Sequence, residues 1–288
     1  MNNNVRAAFL VVLGMVLISS NDAIMKLRSE DLGVGQLLFI RGSLAMLIFA
    51  VLIKASGKSL NPRVYITGWN GLRAGFECAA TVCFISGLSV LPIATVSTLA
   101  WTAPIFLTIA AAVMLKERVS FIRWISVLVG FLGVVLVTNP FSGEFSNAMF
   151  LPLLAAIFVC LRDITTKRID VNLHSLHVTY ASLILVTLVG GVMAIFDWRP
   201  VELIEIGWLG LSALLLGFGF LCQILALRQG ELSFIAPFSF TGILVSVIYG
   251  YLIWDEFPTL VMFAGIALII SAGIYIMVVY PEVCNLFL

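Results

Sequence analysis

Apolar stretches of bilayer length recur along nearly the whole chain, and they dictate the solvent in which it can fold. A helix rises about 1.5 Å per residue and the bilayer core is about 30 Å thick, so one crossing takes roughly 20 mostly apolar residues. Runs of that kind lie near 6–25, 34–53, 69–89, 94–115, 122–138, 147–166, 176–196, 206–226, 234–254 and 260–280. The longest break, Lys54 to Gly68, is a Lys/Gly/Ser/Pro linker with no room for a soluble domain. With 61% hydrophobic and 11% charged residues, a water-soluble fold would have too little polar surface to cover its apolar area. The expectation is an all-α integral membrane protein with ten transmembrane helices.

The first run follows Arg6 and could be taken for a signal peptide. It is longer than a typical h-region and no small-x-small cleavage site follows, so it reads as the first span. The net charge of +1 comes with no basic run, which argues against nucleic acid as a partner. Cys78, Cys83, Cys160, Cys222 and Cys284 show neither CxxC nor His/Cys ligand spacing and read as packing residues. His174 and His177 flank a connecting loop, and two histidines give little basis for a metal site or a proton relay. No cofactor is expected.

Cytoplasmic loops are enriched in Lys and Arg. An N-terminus inside puts Arg6, Lys54, Lys58, Arg63, Lys116, Arg118, Arg123, Lys167, Arg168 and Arg228 on the cytoplasmic side and only Lys26, Arg28 and Arg199 outside. Both termini are then cytoplasmic.

An internal repeat sets the expected domain organisation. At an offset of 139, GWNGL (Gly68 to Leu72) meets GWLGL (Gly207 to Leu211), Leu88 meets Leu227, and Glu117 meets Glu256. At an offset of 141, DAIMK (Asp22 to Lys26) meets DITTK (Asp163 to Lys167). The expected units are residues 1–140 with helices one to five and 141–288 with helices six to ten. Five is odd, so the second unit enters from the opposite face and the repeats are inverted. The charges agree, because KERVSFIR (Lys116 to Arg123) is replaced after Trp254 by DEFP, which has no positive charge. Inverted repeats suit a device that alternates between two faces around a central site.

These features are similar to a known family. The segment LSVLPIATVSTLAWTAPIFLTIAAAVMLKERVSFIRWISVLVGFLGVVLVTNP from Leu88 to Pro140 resembles the EamA-type drug/metabolite transporters: small residues at Ala94, a mid-span Pro104, a turn from Leu115 to Arg118, and Gly130 with Gly133 in the fifth helix. The second copy matches more loosely, with Glu256, Gly273 and a proline shifted to Pro237. SSNDAIMKL and LAAIFVCLRDITTKRI are similar to the branch that includes S-adenosylmethionine carriers. The resemblance implies secondary transport of a small organic metabolite across a bacterial inner membrane, with a cavity between the halves. It also leaves room for a riboflavin or other vitamin carrier.

Six ionisable residues fall within the expected spans: Asp22, Glu77 and Asp163 against Arg41, Arg73 and Arg162. Charge at membrane depth is costly and marks functional candidates. Asp22 and Asp163 each precede a lysine by four, so each is either an Asp-to-Lys pair on one helix face or a symmetric gating or proton-binding carboxylate. Lys26 and Arg162 join them as coupling candidates. Arg73 and Glu77 share a helix face and either neutralise each other or hold a substrate's carboxylate and amine. Arg41 reads as an anion anchor or as a partner for Asp22.

Pro104 and Pro237 interrupt the fourth and ninth spans, and a freed carbonyl at that depth needs protein or a water-filled cavity beside it. Trp101 and Phe240, aligned by the repeat, would supply aromatic walls, and Ser97, Thr98, Thr102, Ser239 and Thr241 hydroxyls. Packing serines and an interfacial tryptophan are the plainer alternative. Gln223 is a further polar candidate. HExxH, a serine–histidine pair within a span and paired Asp-rich motifs are all missing, so an intramembrane enzyme is not expected. A sensor, a structural membrane protein or a channel stays open. The expected partners are a small-molecule substrate and the lipid bilayer, with the chain a monomer or homodimer.

Overall fold

The computed structural model describes residues 3–58, 60, 68–103, 105–106, 109–110, 121–138, 146–166, 168–169, 173, 175–229, 238 and 240–279. The side chains at 3–4, 121–123, 126, 138, 163, 175, 224, 227–229, 273 and 276–279 lie outside the description. The described residues form helices and no strand: α1 (Asn3–Arg28), α2 (Val34–Ala55), α3 (Gly68–Leu88), α4 (Ile93–Ala100), α5 (Phe121–Thr138), α6 (Phe150–Thr166), α7 (Ser175–Ala194), α8 (Leu203–Gln229), α9 (Thr241–Trp254) and α10 (Leu260–Val279).

Six of these, α1, α2, α3, α6, α7 and α8, are long and apolar enough to cross a bilayer. Their surfaces fit that medium. Leu47, Val51, Leu188 and Phe218 are exposed, where water would penalise them and lipid does not. Apolar stretches of α5, α9 and α10 are shorter.

The fourth element shows where the expected span over 94–115 is interrupted. α4 ends at Ala100, Trp101 and Thr102 form a turn, and helical backbone resumes at Ala103. The hydrogen bonds tighten across the break, from Thr102 N–H to Leu99 O at 3.2 Å and from Ile105 N–H to Thr102 O at 2.9 Å. The cause is chemical. Pro104 has no N–H, so the carbonyl of Ala100 has no donor four residues on. Pro104, Pro237 and Ser239 themselves lie outside the described residues, as do Lys167, His174 and Cys284.

The helices pair α1 with α8, α3 with α6, α2 with α7 and α5 with α10, and α4 lies against α9. Exchanging each helix with the one five places along turns the first pair into the second and leaves the other three unchanged. The lesser pairs follow the same rule: α2 with α8 becomes α7 with α3, and α1 with α9 becomes α6 with α4. The packing therefore has a two-fold pattern.

Glycine allows the self-paired helices to touch. An added Cβ on Gly35 of α2 would stand 2.5 Å from the backbone nitrogen of Ala194 in α7. On α5 and α10, Cβ atoms at Gly133 and Gly265 would each stand 2.8 and 2.7 Å from the other's carbonyl oxygen. In lipid, where apolar burial drives little, such close backbone contact is a main source of helix association.

Candidate functional site

α4 stops and α9 starts at the two residues that the repeat aligns. Trp101 caps the end of α4 and Phe240 precedes α9, with ring centroids 5.7 Å apart. α1 closes on this pair: a Cβ on Gly242 would stand 3.1 Å from Met15 Sδ, 3.6 Å from Trp101 Nε1 and 3.8 Å from Ser19 Oγ. Ser19 Oγ donates to Gly242 O at 3.3 Å. Met15 and Ser19 were not singled out from sequence. The signal was available, since Met15, Ser19, Asp22 and Lys26 follow one another at spacings of four, three and four, which is one helix face.

The hydroxyls near this pair are partly committed. Thr98 donates to Ala94 O at 2.7 Å and Thr102 to Leu99 O at 2.6 Å, so each spends its proton within its own segment and retains only acceptor capacity. Ser97 donates to Ser246 Oγ at 2.8 Å and ties α4 to α9. Thr241 donates to Phe238 O at 2.6 Å. Gln223 stands apart, across α1: a Cβ on Gly14 would lie 3.1 Å from its Nε2, which is buried without a hydrogen-bond partner.

Toward the end where α1 finishes, Asn21 is a hub. Its Oδ1 accepts from Ser212 Oγ at 2.6 Å and from Arg41 Nη1 at 3.3 Å, and its Nδ2 donates to Asp22 Oδ1 at 2.9 Å. Arg41 is therefore linked to Asp22 through Asn21. Lys26 does not close an in-helix pair with Asp22. Its ammonium donates to both carboxylate oxygens of Glu256, at 2.7 and 3.0 Å, and stands 4.5 Å from the ring centroid of Trp254. Close by, Arg28 Nη1 meets Glu205 Oε1 at 3.3 Å.

At the opposite end, where α3 and α7 begin and α6 finishes, Glu77 lies between two guanidinium groups. Arg162 Nη1 donates to Glu77 Oε2 at 2.9 Å, and Arg73 Nη2 lies 3.7 Å from the same oxygen. The expected Arg73–Glu77 pair is present, but Arg162 is the nearer partner. Arg73 also donates to Ser182 Oγ at 2.7 Å and Thr166 Oγ1 at 3.2 Å. The side chain of Asp163 lies outside the description.

The two polar clusters are related. Asn21 and Arg41 stand at the offset of 141 from Arg162 and Ser182, and Arg73 stands at the offset of 139 from Ser212. The three residues that meet at one end are the repeat counterparts of three that meet at the other.

The model of the EamA-like transporter family matches residues 5–139 and again 146–279. The chain belongs to the EamA-like transporter family. This transporter is 29% identical over 278 residues to the S-adenosylmethionine uptake transporter of Rickettsia bellii, covering 94% of this chain and 92% of that one. It is 27% identical to the pseudopaline exporter of Pseudomonas aeruginosa over 92% of this chain and 93% of the other, and 25% identical to the riboflavin transporter of Vibrio cholerae over 82% and 80%. A solved crystal structure shares its fold with a TM-score of 0.62 at 15% identity, over 98% of this chain and 99% of that one. The protein is thus a multi-pass membrane transporter of the drug/metabolite superfamily, as its sequence suggested, and not an enzyme. Its substrate is a small molecule.

Proposed function

We propose that this EamA-like transporter is a secondary carrier that moves an amino-acid or nucleoside derivative such as S-adenosylmethionine across the bacterial inner membrane by alternating access. In this reading residues 1–140 and 141–288 are inverted repeats of five spans each, making ten crossings, with both termini cytoplasmic. The observation that carries it is the meeting of Trp101 and Phe240 where α4 ends and α9 begins, in a bundle whose two polar clusters the repeat interchanges. Interrupted helices at the midplane offer free backbone groups to a polar solute.

The residues take complementary parts. The faces of Trp101 and Phe240 suit a flat ring or a sulfonium cation. Thr98, Ser239 and the free amide of Gln223 supply polar groups to the solute. Arg41 and Arg73 are placed to attract a carboxylate, and Glu77 an amine, as the solute passes. Asp22 and Asp163, with Lys26 and Arg162, couple the two ends of the cycle, and Pro104 and Pro237 serve as helix-breaking residues. The carrier works as a monomer or homodimer and has no use for nucleic acid.

Counterflow of labelled S-adenosylmethionine into proteoliposomes tests the substrate. Saturable exchange is expected, with a rise of about five- to thirtyfold in the half-saturating concentration for Trp101→Ala, as loss of a stacking or cation–π contact of about 1–2 kcal/mol would give. Exchange of labelled riboflavin with none of S-adenosylmethionine would replace this substrate with the vitamin. Asp22→Asn and Asp163→Asn are each expected to abolish exchange in folded protein, and wild-type rates in both would reduce these acids to structural groups.

A further inference from the structure

The interface between α1 and α9 is a seam that starts at the aromatic pair and rises to the end of the bundle. Ser19 bonds Gly242 O at 3.3 Å, Ser20 Oγ and the Tyr249 hydroxyl are 2.7 Å apart, and Lys26 holds Glu256 at 2.7 and 3.0 Å. We infer that the Lys26–Glu256 ion pair, backed by Arg28–Glu205, is a latch that shuts this end of the transporter and must open in each transport cycle. The inference rests on the alternating-access reading above.

The carboxylate is aimed by the chain. Asp255 ends α9 in the left-handed conformation, with φ 55° and ψ 28°, which only some non-glycine residues adopt. The turn brings the Glu256 N–H back to Gly250 O at 3.0 Å and sends its side chain across to α1. Trp254, one residue earlier, lays its ring 4.5 Å from the same ammonium and donates from Nε1 to Glu30 Oε1 at 3.1 Å. Trp254 and Glu256, on either side of the turn at Asp255, thus converge on the last turn of α1 and the residues after it.

The chemistry is that of a tie made to be broken. Lys26 and Glu256 retain 10% and 28% side-chain exposure, so water can rehydrate both charges as they part. The net gain from such a pair over its hydrated partners is small. The second pair is left incomplete, because Arg28 Nε and Glu205 Oε2 are buried without a partner. Buried groups in a permanent tie are normally all satisfied. Gln36, at the same end, shows the contrast: its Nε2 donates to Arg199 O at 2.7 Å and its Oε1 accepts from Arg199 N–H at 3.0 Å, so both ends of the amide are used.

Ser20→Cys places a reporter thiol inside the latch, and its labelling by a membrane-impermeant thiol reagent is read by peptide mass in right-side-out and inside-out vesicles. The lost Ser20–Tyr249 contact is common to all variants compared. With the native latch the thiol is expected to be protected at the face bearing Lys26. Lys26→Gln and Glu256→Gln should each raise its labelling rate about tenfold, by enlarging a minor open population. The exchange Lys26→Glu with Glu256→Lys should restore protection, and Lys26→Arg should keep it, provided each variant elutes as a monodisperse protein. Equal rates in wild type and single variants, or an exchanged pair that labels as fast as the singles, overturns the latch. Counterflow of labelled S-adenosylmethionine in the same vesicles is a separate arm. Its absence alongside the expected labelling overturns that substrate and leaves the latch, whereas flat labelling overturns the latch whatever is carried.

Discussion

Asn21 holds a guanidinium, a hydroxyl and a carboxylate together with one amide. Asn21→Ala would leave Arg41 and Ser212 with an unmatched donor each, and a loss of about 1–3 kcal/mol of stability is expected, measured by thermal unfolding in detergent. The Glu77 cluster should respond more sharply. Arg162→Ala leaves a carboxylate in the bundle with Arg73 at 3.7 Å as its remaining ionic neighbour among the described residues, and breaking a buried pair costs about 3–5 kcal/mol. Replacing both partners, Arg162→Met with Glu77→Met, should cost less than Arg162→Ala, because the charge left behind, Arg73, keeps its hydrogen bonds to Ser182 and Thr166. A double variant as unstable as the single would show that the pair itself supplies the stability. The charges in this cluster were legible in the sequence, since an ionised residue within an apolar run is conspicuous. Asn21 was not, because a neutral amide beside an aspartate carries no comparable signal until α8 brings Ser212 against it.

At the scale of the helix, the apolar runs anticipate α1, α2, α3, α6, α7 and α8 to within a few residues. Hydropathy alone does not show the end of α4, because it continues through a point at which the hydrogen-bond ladder stops. Pro104 marked the neighbourhood of that break, and the break itself falls at Trp101, because the carbonyl deprived of a donor belongs to the residue four before the proline. The glycine-rich fifth helix was read as a family feature, and its packing supplies the reason. A Cβ on Gly130 would collide with Ile105, and one on Gly133 would meet the backbone of α10. Gly133→Val is expected to cost about 1–3 kcal/mol, or to part α5 from α10, because a backbone carbonyl cannot rotate away as a side chain can. Gly75→Ala on α3, where nothing lies within 4 Å of the added carbon, is the matched control and should unfold close to wild type in the same thermal assay.

For the whole molecule, the proposed five spans per repeat require the second unit to enter from the opposite face, and that is open to a direct measurement. Ser56 follows α2 and Asp197 follows α7, both exposed, and these helices are repeat counterparts. Cysteines at the two positions should be labelled by an impermeant reagent from opposite faces, Ser56→Cys from the cytoplasmic side and Asp197→Cys from outside. Labelling of both from one face would end the inverted arrangement.

What the sequence determined by itself was the solvent, the helical class and the duplication, because hydropathy over about 20 residues and a fixed offset between similar motifs need no knowledge of contacts. Tertiary structure decided the partners. Lys26 could reach Asp22 one turn away, and takes Glu256, which lies 230 residues along the chain, because α9 ends beside α1. Glu77 could be neutralised within its own helix, and is held more closely by Arg162, because α3 lies along α6. A charge seen in a sequence names a need, and only the packing of helices says which neighbour meets it.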